Sequence, residues 1–261
     1  MKIIVFVKQV PDTDDVKLDP KTGNLQREGV QSIMNPLDAN AVETALRLKE
    51  KYGGSVVAVS MGPPQADDVL KKALAMGCDE SALLSDRALG GADTLATGYP
   101  LAKAAEKLGD YDLLICGRHA TDAETAQTGP IIAAFLGIPQ VTLCGEVEIE
   151  DGWAICERLL PDRTEKVRVK LPALITVCAE ANEPRYPTPI GIMKALKKPR
   201  HVWNAADLGC EPDMIGIPGS PSFNKRVFAP PKRNTDTKFF EGSVEEIAKA
   251  IVDTLEAERL I

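Results

Sequence analysis

The chain has 261 residues, 44% of them hydrophobic, and a formal net charge of −7 from 31 Lys plus Arg against 38 Asp plus Glu. This is enough for one large domain or one domain with a substantial appendage, and it gives a nucleic-acid partner no overall electrostatic support; the one local basic run is 194–200 (KALKKPR). No apolar stretch approaches the roughly 18 to 20 residues that cross a bilayer, and the opening MKIIVFVKQVPD lacks the features of a signal peptide, so no membrane insertion and a cytoplasmic location are expected.

In chain order, residues 3–7 (IIVFV) are a continuous apolar run suited to a strand covered on both faces, broken by Pro11 and Asp12. Turn residues at Asp19-Pro20 and 22–24 (TGN) make 16–31 a hairpin-like excursion outside the core. Asn35 and Pro36 open the first helix, whose Ala41, Val42, Ala45, Leu46 and Leu48 recur at helical spacing until Gly53 and Gly54 stop it. A strand at 55–60 and a helix through Val69, Leu70, Ala73 and Leu74 follow, and the pattern repeats at 81–84 and 95–108. A further strand, 112–116 (DLLIC), leads into 117–130 (GRHATDAETAQTGP) and a helix predicted to begin between Thr121 and Glu124. Such alternation is the pattern of an α/β fold with a doubly wound, mostly parallel sheet.

In such sheets ligands bind at the carboxyl ends of the strands, which makes 7–9, 60–63, 85–97 and 117–129 the candidates. A strand-to-helix junction points unpaired N–H groups outward from the first helical turn, where a phosphate can sit. Thr121 and Glu124 also have the spacing of a capping box, which would satisfy the helix end without any ligand. Thr125, Gln127, Thr128 and Gly129 add more hydroxyl and amide groups than a cap requires. In 87–94 (RALGGADT) a flexible loop meets a carboxylate and a hydroxyl at a helix start, with an ordinary loop and N-cap as the alternative.

Neither G-x-G-x-x-G nor G-x-x-x-x-G-K-[ST] occurs, so a nucleotide site would rest on these cradles alone. The 6 cysteines show no C-x-x-C spacing and read as small core residues; with only His119 and His201 available, no metal site is expected.

After Pro139 the texture turns β-rich, at 141–149, 153–159, 166–171 and 173–178. A segment with Pro184, Pro187 and Pro189 precedes a short basic helix to Lys198. Residues 199–237, rich in Pro, Gly and polar groups, read as an extended arm, and 243–260 as an amphipathic helix with Val244, Ile247, Ile251 and Leu255 on one side. The expected organisation is therefore an α/β domain at 1–198 and an arm with a closing helix at 199–261, which embraces a partner subunit or wraps its own domain.

Seven stretches carry a family resemblance: KQVPDT at 8–13, SIMNPLDANAVETAL at 32–46, VSMGP at 59–63, ALAMGCD at 73–79, GRHATDAETAQTGP at 117–130, VKLPALITV at 169–177 and NEPRYPTPIGIMKALKKP at 182–199. Together they resemble the beta subunit of electron-transfer flavoprotein over nearly the whole chain. The resemblance implies an adenine-nucleotide-binding, Rossmann-like fold. It also implies a heterodimer with a larger alpha subunit that carries the electron-transferring FAD and against which 199–261 packs. The beta subunit of this family holds AMP or, in the electron-bifurcating branch, a second FAD that accepts hydride from NADH. By position in the motifs, the nucleotide contacts are Val7, Lys8, Asn35, Met61, Asp122, Thr125, Gln127, Thr128 and Gly129, with Asp122 capping the turn. The loop carrying Gly91, Asp93, Thr94 and Thr97 resembles the bifurcating branch and points to FAD.

Two departures stand out: Ala123-Glu124 replaces a more usual Gly-Asp pair, and His119 stands where the family usually has an amide. Residues 182–193 align with the loop by which a flavin dehydrogenase docks, so Arg185, Tyr186, Pro189, Ile190 and Met193 are the expected partner contacts. A proline-rigid connector is the alternative reading, and Arg185 is expected either to stabilise the loop or to approach the alpha-subunit flavin. No residue is needed as an acid or base catalyst, since hydride and electron transfer belong to the flavin, and NADH oxidation would be a property of the complex. Competing readings are a stand-alone adenine-nucleotide sensor and an adenylate-transferring enzyme; the latter is weakened by the lack of a glycine-rich loop after Val7.

Overall fold

The computed structural model describes residues 1–12, 31–222 and 237–261, so nearly all of the expected excursion at 16–31 lies outside the described residues. Strand β1 (Lys2–Phe6) is followed by β2 (Gln9–Pro11), which pairs antiparallel with β3 (Ser32–Met34). Helix α1 (Pro36–Tyr52) begins with a proline, whose fixed φ suits a first helical position, and stops at Gly53, whose φ of 76° favours glycine. Then come β4 (Ser55–Met61), α2 (Asp67–Met76), β5 (Glu80–Leu84), α3 (Thr94–Leu108) and β6 (Leu113–Gly117). They are followed by α4 (Thr128–Leu136), β7 (Gln140–Glu150), β8 (Trp153–Leu159), β9 (Thr164–Lys170) and β10 (Ala173–Val177). The last elements are α5 (Pro189–Ala195), β11 (Arg200–Trp203) and α6 (Val244–Ala257).

Among the described residues the main sheet has nine strands in the order β11-β5-β4-β1-β6-β10-β7-β8-β9. Pairing is parallel from β11 to β7 and antiparallel from β7 to β9. The chain steps outward from β1 through β4 and β5, then returns to the other side of β1 with β6. This reversal opens a crevice at the carboxyl ends of β1 and β6.

The central strands are buried on both faces, which is why they read as unbroken apolar runs. Ile3, Val5, Val56, Leu113 and Ile175 pack with α1 and α2 residues such as Val42, Leu46, Leu70 and Leu74 on one face. Ile4, Phe6, Val57, Leu114 and Leu174 pack with Tyr99, Ala102 and Ala105 of α3 and Ile132 of α4 on the other. No helix among the described residues is long and apolar enough to cross a membrane.

Within the expected arm at 199–261, residues 200–215 require correction, because they belong to the domain itself. Strand β11 extends the sheet beside β5, Trp203 opposite Leu84, and Ala205, Leu208 and Ile215 join the buried core. A four-residue strand among prolines and polar residues is too short for any period to reveal. Contacts divide the chain into Met1–Arg226 and Val227–Ile261, well past residue 198. Within the second unit, Ser243 and Glu246 form a capping box at the start of α6, and no residue of that helix is buried.

Candidate functional site

A cavity of about 570 Å3 lies at the strand-order reversal. Its walls come from the ends of β1 (Val7, Lys8) and β4 (Met61), from the loop into α3 (Gly91, Asp93, Thr94, Thr97) and from the loop into α4 (Thr125, Gln127, Thr128, Gly129). The structure thus gathers eleven of the thirteen nucleotide-contact candidates into one concavity. Asn35 and Asp122 stand behind it. The fully buried Asn35 donates from Nδ2 to the His119 carbonyl at 2.9 Å and accepts from the Thr121 N–H at 3.2 Å, bracing the loop from the rear. Asp122 does not cap the turn with its carboxylate; it accepts from the Lys8 ammonium at 2.6 and 2.8 Å.

The predicted start of α4 between Thr121 and Glu124 also needs correction. Residues 120–124 form a turn in which the N–H groups of Ala123 and Glu124 both donate to the Ala120 carbonyl, and the helix begins at Thr128. Glu124 (φ 52°) and Ala126 (φ 55°) then sit in the left-handed region, a placement that costs a non-glycine residue about 1 to 2 kcal/mol. Gln127 follows in right-handed helical conformation. Alternation of this kind points successive N–H groups into one concavity that suits an anion. Among the described residues, no acceptor faces the N–H groups of Thr125, Ala126, Gln127, Thr128 or Gly129. A phosphate would complete them, and the helix dipole favours its charge there. Gly129 lets the first turn of α4 pack closely on the sheet, because an added Cβ would lie 2.7 Å from Cys116 Sγ and 2.9 Å from Thr176 Cγ2.

The opposite wall is held by Asp93, which proves to be the N-cap of α3. One carboxylate oxygen accepts from the N–H groups of Leu95 and Ala96, the other from the N–H and hydroxyl of Ser222. Burial works against its charge, but hydrogen bonds from Ser222 and the helix N–H groups outweigh it, and the carboxyl lies below its ordinary range. The hydroxyl of Thr94 donates to Gln127 Oε1 at 2.9 Å, joining this wall to the α4 loop.

Sequence reasoning missed Asp38 and Arg118, which also line the cavity. From the first turn of α1, Asp38 accepts from the N–H of Lys8 at 2.8 Å and of Gly117 at 3.1 Å, so one buried carboxylate ties the ends of β1 and β6 together. Burial pushes it up to about 7, against the lowering effect of those N–H groups and of Asn35. The only available signal was an acidic residue just after Asn-Pro, which reads equally as a dipole partner.

The 182–193 segment divides into an anchored and an exposed part. Asn182 exchanges hydrogen bonds with Asn40 and Thr44 of α1, and Arg185 is clamped by Glu43 and Glu50 of the same helix. Beyond them, Tyr186 is 89% exposed, Ile190 65% and Met193 69%, while Pro189 opens α5, whose Thr188 cap accepts from the Gly191 N–H. Three large apolar side chains are thus left in solvent within one short segment.

Comparison with known proteins adds to this geometry. Residues 22–208 match the model of the electron transfer flavoprotein domain. The chain is 46% identical over 262 residues to the caffeyl-CoA reductase-Etf complex subunit CarD of Acetobacterium woodii, and 48% identical over 264 residues to the electron transfer flavoprotein subunit beta of Thermoanaerobacterium thermosaccharolyticum, each alignment covering 100% of both chains. It is 39% identical over 268 residues to the acryloyl-CoA reductase electron transfer subunit gamma of Anaerotignum propionicum, again covering 100% of both. A domain match across most of the chain, and likeness from end to end to a beta subunit so named, mean that this protein belongs to the electron transfer flavoprotein family, as a beta subunit.

Proposed function

We propose that this beta subunit pairs with an alpha subunit that carries FAD, seats a second FAD in the strand-end cavity, and divides electron pairs from NADH between two acceptors. The observation that carries the reading is the set of N–H groups at 125–129, unpaired among the described residues, in a cavity that continues across to the Gly91, Asp93 and Thr94 wall. The donor set fits the phosphates of an adenine nucleotide, and the far wall offers room for a group beyond them. Bound FAD would supply hydride and electron transfer. The chain's own part is positional: N–H groups hold phosphate oxygens, Arg118 adds positive charge, and Val7 and Met61 offer apolar contact. AMP in the same cradle is the alternative cofactor.

Two relatives are named for caffeyl-CoA and acryloyl-CoA reductase systems, which supports an acyl-CoA-type flavin dehydrogenase as the docking partner. The exposed Tyr186, Ile190 and Met193 are its proposed contacts, with Arg185 and Pro189 setting their presentation. The unburied face of α6 is proposed to lie on the alpha subunit. An adenine-nucleotide sensor would have no use for either surface.

The test is to co-produce the chain with its alpha subunit, denature the purified complex, and count nucleotides by chromatography. Two FAD and no AMP per heterodimer is the expected result. One FAD and one AMP would make the complex a single-flavin carrier and overturn the bifurcating reading.

A further inference from the structure

Asp38 is a buried carboxyl that forms no ion pair among the described residues. It is 6% exposed and lines the cavity, and the Lys8 ammonium is turned to Asp122 instead. Its two oxygens are held by backbone N–H groups of Lys8 and Gly117, from strands on either side of the crevice. The charged and titratable groups around it are Lys8 from β1, Cys116, Arg118 and His119 at the end of β6, Asp122 and Glu124 in the following turn, and Asp93 on the far wall. Arriving phosphates would bring further negative charge into this low-dielectric crevice, where like charges disfavour each other's ionised forms.

Resting on the nucleotide reading of this cavity, we propose that Asp38 is a positioning residue that takes up one proton from solvent when the nucleotide binds. The proton adds to a carboxylate oxygen and no electrons move. Each oxygen keeps an acceptor lone pair afterwards, so the N–H groups of Lys8 and Gly117 stay held and the two strand ends keep their separation. The nearness of this carboxyl to neutrality, about 7 without a ligand, makes the uptake accessible at ordinary pH.

The sign follows from linkage. Without nucleotide the proton leaves as pH rises through about 7; with an anion beside it, the proton leaves at higher pH. Between those limits affinity falls as pH rises, by up to about tenfold per pH unit.

The experiment uses the heterodimer stripped of its beta-bound nucleotide and titrated separately with FAD and with AMP by calorimetry between about pH 7 and 9, above the second phosphate ionisation of AMP near 6. Affinity in the native complex is expected to fall toward tenfold per unit, to stay level in Asp38→Asn, and to keep falling in His119→Gln. Equal slopes in the native complex and Asp38→Asn, or no slope in the native complex, would overturn the proposal. Infrared difference spectra of the unmodified complex at pH 8 give a check that needs no variant: nucleotide addition should produce a protonated-carboxyl C=O band, and its absence overturns the proposal too. If nucleotide binds without proton uptake, only Asp38's role is lost; if neither FAD nor AMP binds at any pH, the nucleotide reading falls with it.

Discussion

Arg185 and Glu43 meet as a two-pronged pair: Nε donates to Oε2 at 2.7 Å and Nη2 to Oε1 at 3.1 Å, although the two residues are 142 positions apart in the chain. Glu43 is only 3% exposed, and burial alone would keep it protonated; hydrogen bonds from Arg185 and then Arg47 outweigh that, so its carboxyl lies below the usual range. Replacing Arg185 with Leu leaves a buried carboxylate with Arg47 alone. The expected cost is about 3 kcal/mol in urea unfolding. The pair's contribution is present above the ordinary carboxylate range and is lost as pH falls through Glu43's depressed value, so the variant should also lack that part of the acid transition.

Asp38 contributes with the opposite sign. Its folded value of about 7, against 3.8 for the free side chain, makes its stabilising effect complete below 3.8 and lost as pH rises through 7. The swing is on the order of 4 kcal/mol. Unfolding free energies at a series of pH values should show this decline in the native protein and a flatter profile in Asp38→Asn. Parallel profiles would mean that folding leaves the Asp38 carboxyl at its free value.

Gly129→Ala places a methyl 2.7 Å from Cys116 Sγ and 2.9 Å from Thr176 Cγ2. Overpacking of this kind costs about 1 to 3 kcal/mol. The strain falls on the first turn of α4, so bound nucleotide per heterodimer should drop further than the melting temperature alone accounts for. Unaltered nucleotide content would separate the cradle from α4.

Ala126→Gly should act in two directions. Relief of the left-handed alanine (φ 55°) raises stability by up to about 1 kcal/mol, while the freer loop lowers nucleotide affinity severalfold. Differential scanning calorimetry and nucleotide titration of the same preparation read both effects. A loss in both would show that the alanine side chain itself makes a needed contact.

The contrast between what was legible and what was not has a physical basis. Residues 3–7, 112–116 and 173–177 announced themselves because central parallel strands are apolar on both faces, and α1 because its apolar residues keep helical spacing up to Gly53. The strand-end location of the cavity followed from that alternation, and eleven of the thirteen nucleotide-contact candidates line it. The start of α4 was misplaced because Thr121 and Glu124 imitate a capping box, while the left-handed turns at Glu124 and Ala126 leave no mark in residue type. Asp38 and Ser222 escaped notice for another reason. Their partners, Gly117 and Asp93, lie 79 and 129 positions away, and only the folded sheet brings them together.

Helix α1 holds two sets of anchors on one rigid rod. Asp38 in its first turn grips the ends of β1 and β6 at the cavity, while Glu43 and Glu50 grip Arg185 at the root of the exposed segment. From Asp38 to Glu50 the rod measures about 18 Å at 1.5 Å per residue. A partner docked on Tyr186 to Met193, as proposed, would therefore be kept at a set standoff from the cradle, and that face could diverge in sequence while the pocket behind it is left untouched.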